Sequence, residues 1–350
     1  MNQDSRKARN AATISFLAKT GVLAGIGVAA VKLAKSRPAT PSALRGKVAL
    51  ITGSRGLGLA IAREFGRRGA RIAMCARDQH ELHRACESLS QREIEAAPFA
   101  ADISKASEIG PLITKVLDRF GRIDVLVNNA GEIKVGPFDT FTHSDYEDAM
   151  NLMFWAAVNL TFEALPHMTS QQSGHIVNIT SIGGRVSIPH LLPYSCAKFA
   201  LVGFSSGLSS ELRRQNIHVL TVVPGLMRTG SHLHAGFKGQ AQNEFAWFGL
   251  LGNMPGFSVA ADRAARQIAN AVETRRAQLT ISLPAKILAA CDAVLPETTR
   301  RIFAGVNHFL LPRGDGSKQL QEGSALNAKS GKIFQALTAL GRRAAENLNQ

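Results

Sequence analysis

One stretch near the front of this 350-residue chain restricts its folding more than any other. Residues 47–52 (KVALIT) are a short, mostly apolar run of strand type. They run straight into Thr52-Gly53-Ser54-Arg55-Gly56-Leu57-Gly58, and then into a segment in which Leu57, Ile61, Ala62 and Phe65 recur at helical spacing. A strand that turns into a helix through spaced glycines leaves the helix's first N–H groups and the positive end of its dipole open to an anion. The glycines let the backbone turn tightly and let a pyrophosphate approach without a Cβ in the way. A plain tight turn would look the same in isolation. The strand before it and the helix after it supply the context that a dinucleotide site needs.

The alternation continues along the chain. Strands are expected at 71–76, 95–102, 123–131, 175–181 and 218–225, with helices at 78–91, 107–121, 145–168 and 194–214. Apolar strands that alternate with helices imply a parallel sheet covered on both faces. The expected fold class is therefore α/β, a doubly wound parallel sheet in a Rossmann-type three-layer sandwich, with its ligand at the carboxyl ends of the strands. The reading divides the chain into a basic start at 1–45, a catalytic domain at 46–275 with a lid at 230–258, a helical extension at 276–312, and a polar, flexible tail at 313–350 in which residues 333–348 end in a short helix.

Charge is concentrated at the two ends. The formal net charge is +15. Residues 1–50 hold nine Lys/Arg against Asp4 alone, and residues 300–350 hold eight against three acids. A nearly neutral body with basic ends lacks the basic face of a nucleic-acid groove and suits an anionic membrane surface or a solubilising tail. Residues 14–33 (ISFLAKTGVLAGIGVAAVKL) approach the length that spans a bilayer, though Lys19 interrupts them. Three readings stay open for them: an uncleaved anchor with the catalytic domain in the cytoplasm, an interfacial helix, and a targeting peptide, the last two leaving a cytoplasmic protein. The four cysteines, Cys75, Cys86, Cys196 and Cys291, form no CxxC and read as thiols of a reducing compartment.

Two further features bear on chemistry. At the end of the second strand an acid would hold a ribose 2′-hydroxyl, but the residue is Arg77, which with Arg55 could hold a 2′-phosphate. Asp78 follows one residue later and would point elsewhere. Tyr194 and Lys198 stand four residues apart and share one face of a helix. An ammonium beside a phenol favours the phenolate, so Tyr194 could exchange a proton while a hydride moves. Ser181, at the end of a strand 13 residues earlier, could polarise a carbonyl in the same pocket.

In this order and spacing, TGSRGLG, NNAG (Asn128 to Gly131), Ser181, Tyr194/Lys198 and PGLMRT (Pro224 to Thr229) resemble the short-chain dehydrogenase/reductase family over residues 46–275. The resemblance implies an NADP(H)-dependent alcohol/ketone oxidoreductase, with NAD(H) as the lesser cofactor. Tyr194 would be the acid/base, Lys198 would hold the nicotinamide ribose and lower the tyrosine pKa, and Ser181 would orient the carbonyl. Gly53, Ser54, Arg55, Gly56, Leu57 and Gly58 would cradle the phosphates, with Arg77 at the 2′-phosphate. Asp102 and Ile103 would meet the adenine, and Asn128, Ala130 and Gly131 would line the cofactor. Pro224, Gly225 and Thr229 would meet the nicotinamide end. The family's helix asparagine is replaced here by Met153, with Asn151 on the wrong face. That departure keeps open an alternative, a catalytically weak dinucleotide-binding scaffold or sensor.

The family also implies a homo-oligomer and a lid after the sixth strand. That lid carries Phe237, Phe245, Trp247, Phe248, Leu250, Leu251, Met254 and Phe257. So apolar a lid suits a hydrophobic substrate, a membrane, a second subunit, or simple packing on the body. His232 and His234 have no third ligand, so no metal is expected.

Overall fold

The computed structural model describes residues 43–254 and 256–349. The expected hydrophobic segment at 14–33 lies outside them. Seven parallel strands form the central sheet: β1 (Val48–Thr52), β2 (Arg71–Ala76), β3 (Ala96–Ala100), β4 (Val125–Asn128), β5 (Gly174–Ile179), β6 (Ile217–Pro224) and β7 (Gln278–Ile281). Their order across the sheet is β7-β6-β5-β4-β1-β2-β3. The chain thus reverses direction between β1 and β4, and this switch point opens the ligand crevice at the carboxyl ends of both. Every residue of β1 and β4 is buried, as expected for strands covered on both faces.

Helices fill both faces. On one side α1 (Gly56–Arg67), α2 (Gln79–Ser90) and α8 (Ala261–Glu273) contribute Leu59, Phe65, Leu82 and Ile268 to one core. On the other, α3 (Ala106–Phe120) and α5 (Ala156–Ser170) contribute Ile113, Phe120, Leu160 and Met168 to a second. The long helix expected at 145–168 is three pieces: α4 (His143–Met150), a π-helical turn at Asn151–Trp155, and α5. Helix α6 (Leu192–Glu211) carries the Tyr194/Lys198 pair.

The lid helix α7 (Ala241–Asn253) belongs to a third, smaller core. Phe237 and Phe245 are fully buried there with Val135, Leu191 and Leu326, and Trp247, Phe248 and Phe334 pack around them. Most of the lid's aromatic load is thus spent on its own packing. The helical extension is α9 (Leu283–Val294) and α10 (Pro296–Phe309). Beyond Arg313, where a polar tail was expected, the chain forms a short strand at Gln321–Glu322 and three helices, α11 (Gly323–Ala328), α12 (Lys332–Leu337) and α13 (Ala339–Asn347). Leu326, Ala345 and Leu348 are buried, which gives the segment its anchorage on the body.

Candidate active site

The glycine loop is pinned by the strands around it. The Gly53 N–H donates to the Cys75 carbonyl at 2.7 Å. Gly53 has φ +92°, and a Cβ on Gly58 would run into the Gly53 carbonyl and Asn129. Only glycine fits this close approach. Across the crevice Thr52 Oγ1 accepts from the N–H groups of Asn129 and Ala130 at 2.9 and 3.0 Å, which ties the NNAG turn to the end of β1. Asn128 Nδ2 donates to Asn178 Oδ1 at 2.8 Å, while its own Oδ1 is buried with no protein partner. Asn128, Ala130 and Ile103 line a cavity of about 10 Å³ with Thr52 and Met153, room for about one water.

The expected catalytic groups meet at the carboxyl rim. Ser181 Oγ accepts the Gly183 N–H at 3.0 Å, which leaves its own hydrogen free to donate. Tyr194 is half-buried, and a Cβ at Gly183 would lie 3.3 Å from its ring and 3.5 Å from Ser181 Oγ. Lys198 is buried, and Nζ stands 5.7 Å from the Tyr194 ring centre. Nζ donates to the Ile179 carbonyl at 2.8 Å. Burial pushes Lys198 down to about 8, the direction that removes a buried charge. Burial also pushes the Tyr194 phenol up, against an interaction with Ser181 that lowers it. The expected lowering of Tyr194 by the ammonium is therefore not what this state shows: loss of water around the phenol outweighs it.

Met153 lies beside Gly131. It is buried, and its sulfur would lie 3.2 Å from a Cβ at Gly131, a point itself 3.7 Å from Lys198 Nζ. Asn151 is exposed. Gly131 thus faces both Met153 and Lys198. Pro224 ends β6, and the Gly225 N–H donates to the Ile281 carbonyl at 3.0 Å. Thr229 is buried and accepts the Ser231 N–H at 3.3 Å.

The adenosine end is less simple than the sequence suggests. Asp78 caps α2 by accepting the Glu81 N–H at 2.8 Å, so it turns from the crevice as expected. Arg77 is exposed and forms no ion pair among the described residues. Arg55, however, is paired with Glu81 at 3.0 Å and meets His234 Nδ1 at 3.1 Å. Arg55 and Arg77 are therefore not joined in one open anion site. Glu81 was missed because it reads as an ordinary first-turn acid of α2; only the fold brings it to the loop. Asp102 is held by the Ser104 hydroxyl at 2.7 Å, and Ile103 is buried.

A second polar group beside Tyr194 was also missed. Glu132, Lys134, Asp145, Asp148 and Pro193 line a cavity of about 10 Å³ with it. Lys134 bonds Asp145 at 3.1 Å and Asp148 at 2.8 Å, and Lys238 closes on Asp145 from the lid side. Among the described residues no group of three His, Cys, Asp or Glu could hold a metal.

Comparison with known proteins finds relatives of the same family and fold. A family model described as short chain dehydrogenase covers residues 47–235. A putative ketoacyl reductase of Streptomyces coelicolor is 36% identical over 186 residues, 52% of this chain and 71% of that protein. A fatty acyl-CoA reductase of Acinetobacter baylyi is 34% identical over 189 residues, 53% and 64% of the two chains. The crystal structure of a metagenomic short-chain oxidoreductase in complex with NADP superposes with TM-score 0.55 at 30% identity, over 68% of this chain and 95% of that one.

Proposed function

Because this chain belongs to the short-chain dehydrogenase family, we propose that it is an NADP(H)-dependent oxidoreductase that moves a hydride between the nicotinamide and a hydrophobic alcohol or ketone, with Tyr194 as acid/base. The observation that carries this reading is the meeting of Ser181, Tyr194 and Lys198 at the carboxyl rim beside the switch point. The crevice suits a dinucleotide on its own terms. The Gly56 N–H at the start of α1 already takes an oxygen acceptor, and Asn128 Oδ1 at the end of β4 is buried without a partner.

When bound, the cofactor supplies or takes a hydride at its nicotinamide. Tyr194 gives its phenolic proton to the carbonyl oxygen as the substrate is reduced. In alcohol oxidation the same proton returns. Ser181 donates a hydrogen bond to that oxygen. Lys198 holds the ribose hydroxyls, and Arg77 is the free guanidinium for a 2′-phosphate. The NADP and fatty acyl-CoA reductase relatives support the cofactor choice and an apolar substrate. A sensor without turnover draws its support from Met153 alone. Turnover of a series of hydrophobic ketones with NADPH and NADH tests the reading: reduction with NADPH preferred supports it, and no turnover across the series contradicts it.

Membrane attachment belongs to the same proposal, with an anionic bilayer as the partner of the α9–α10 hairpin. Leu283, Ile287 and Val294 form one stripe on α9. Leu295, at the turn between the helices, and Ile302 and Phe309 on α10 recur every seven residues. All six are 54–80% exposed. Each helix buries a single residue, Ala285 or Thr299. Lys286 stands exposed beside the α9 stripe and complements an anionic headgroup, while Arg301 on α10 is paired with Glu297 at 3.2 Å. No helix among the described residues is long and apolar enough to cross a membrane, so this surface would lie on the bilayer. The exposed Cys291 on α9 allows a direct test in the C196S background. A polarity-sensitive label there should shift to the blue with phosphatidylglycerol vesicles. No shift with any vesicle, or a shift that follows protein concentration alone, contradicts it.

A further inference from the structure

The cradle that a dinucleotide needs is held by the chain itself. The Leu348 carbonyl, just past α13, accepts the Gly56 N–H at 2.9 Å. That N–H opens α1 and is among those a pyrophosphate oxygen would take. Asn349 completes the contact. Its amide donates to the Glu81 carbonyl at 2.8 Å and the Ser54 carbonyl at 3.4 Å, and its oxygen accepts from Arg84 Nε at 3.2 Å. Leu348 is buried in the core that α1 and α8 share. One turn earlier Ala345 lies so close to Gly230, next to Thr229, that a Cβ there would stand 2.5 Å from its methyl. Helix α13 therefore lies against the expected nicotinamide-end turn, and its exit reaches the phosphate loop.

We infer that residues 338–349 are an intrachain plug of the dinucleotide cradle, which the cofactor must displace to bind. One N–H cannot serve the Leu348 carbonyl and a phosphate oxygen together, so the two states exclude each other. The plug's hold is local. Gly341, Ala345 and Leu348 are buried, whereas Leu337 and Leu340 are 60% and 47% exposed. Its release withdraws Leu348, with Ala344 packed beside it, from the core that α1 and α8 share, and takes nothing from the core of α3 and α5. Affinity for the dinucleotide is then reduced by the fraction of molecules that are unplugged; one in ten open weakens apparent binding roughly tenfold.

This inference rests on the dinucleotide reading above, and its test separates the two. The full chain is titrated with NADPH by fluorescence, beside full-chain Ala345→Glu, which cannot keep its approach to Gly230. Amide exchange of the unaltered protein is followed with and without NADPH. The plug predicts about tenfold tighter NADPH binding by A345E, and faster exchange across 338–349 once NADPH is added to the unaltered protein. Binding of NADPH with protection of 338–349 kept or increased overturns the plug and leaves the cofactor reading standing. No NADPH binding by either protein overturns both. The exchange arm stands even where A345E fails to fold.

Discussion

Lys198 is where function and stability pull apart most clearly. Its ammonium is buried, and the folded pKa near 8 lies below the ordinary lysine value. Between about 8 and 10.5 the unfolded chain binds more protons than the folded one, so this group makes stability rise with pH there and costs stability below it. Lys198→Met should therefore unfold at a higher temperature at pH 7, by about 2 kcal/mol after the lost hydrogen bond is allowed for, while turnover is lost. A lower midpoint in thermal melts would contradict this. At the adenosine end, Arg77→Asp should raise the KM for NADPH by about 10- to 100-fold and leave kcat with saturating cofactor nearly unchanged, since a charge-assisted pair worth about 1.5–3 kcal/mol goes. An unchanged KM in steady-state kinetics would place the 2′-phosphate elsewhere. The residues at the rim were legible because their spacing is local: Tyr194 and Lys198 are one helical turn apart. Glu81 and His234 were not, because Arg55 meets them only after the chain has folded, His234 from 179 positions away.

Among the elements, the strands of the sheet were the most legible. The strand β2 falls on residues 71–76 as read, because its four central residues, Ile72 to Cys75, are buried and must be apolar. The π-helical turn at Asn151–Trp155 was hidden inside a periodic apolar stretch, where one extra residue changes which side chain faces the site without changing composition. The short helix expected within 333–348 is present as α13, whereas the docking of segment 313–349 was hidden for a related reason. Its polarity is real, but a few apolar residues, Leu326 and Leu348 among them, suffice to dock it on surfaces the rest of the chain provides. The glycine loop itself carries an element-scale prediction. Gly58→Ala forces α1 away from β1, because its methyl would meet the Gly53 carbonyl. Overpacking of this kind costs about 1–3 kcal/mol. Urea denaturation should show that loss, and NADPH binding should fall with it. Unchanged denaturation and unchanged binding would mean that the loop tolerates a Cβ.

At the scale of the whole molecule, buried histidines set the response to acid. Burial holds His175 down to about 3 and His232 down to about 4. Both are neutral in the fold, and the unfolded chain takes up their protons first, near pH 6.5. Stability contributed by this neutrality is complete above about 6.5 and declines as pH falls, at up to about 1.4 kcal/mol per pH unit for each ring. His232 Nε2 is buried without a partner, and the ring packs 6.0 Å from Phe245. His232→Phe should therefore raise the melting temperature at pH 5 more than at pH 8. An equal effect at both would assign the acid loss to other groups. The central claim is that this whole arrangement serves proton transfer at one phenol. Tyr194→Phe tests it most directly, since the ring stays and only the hydroxyl goes. In Y194F, kcat for ketone reduction with NADPH should fall by about 10²- to 10⁴-fold while NADPH binding is kept; turnover equal to that of the unaltered protein would remove the phenol from the proton transfer.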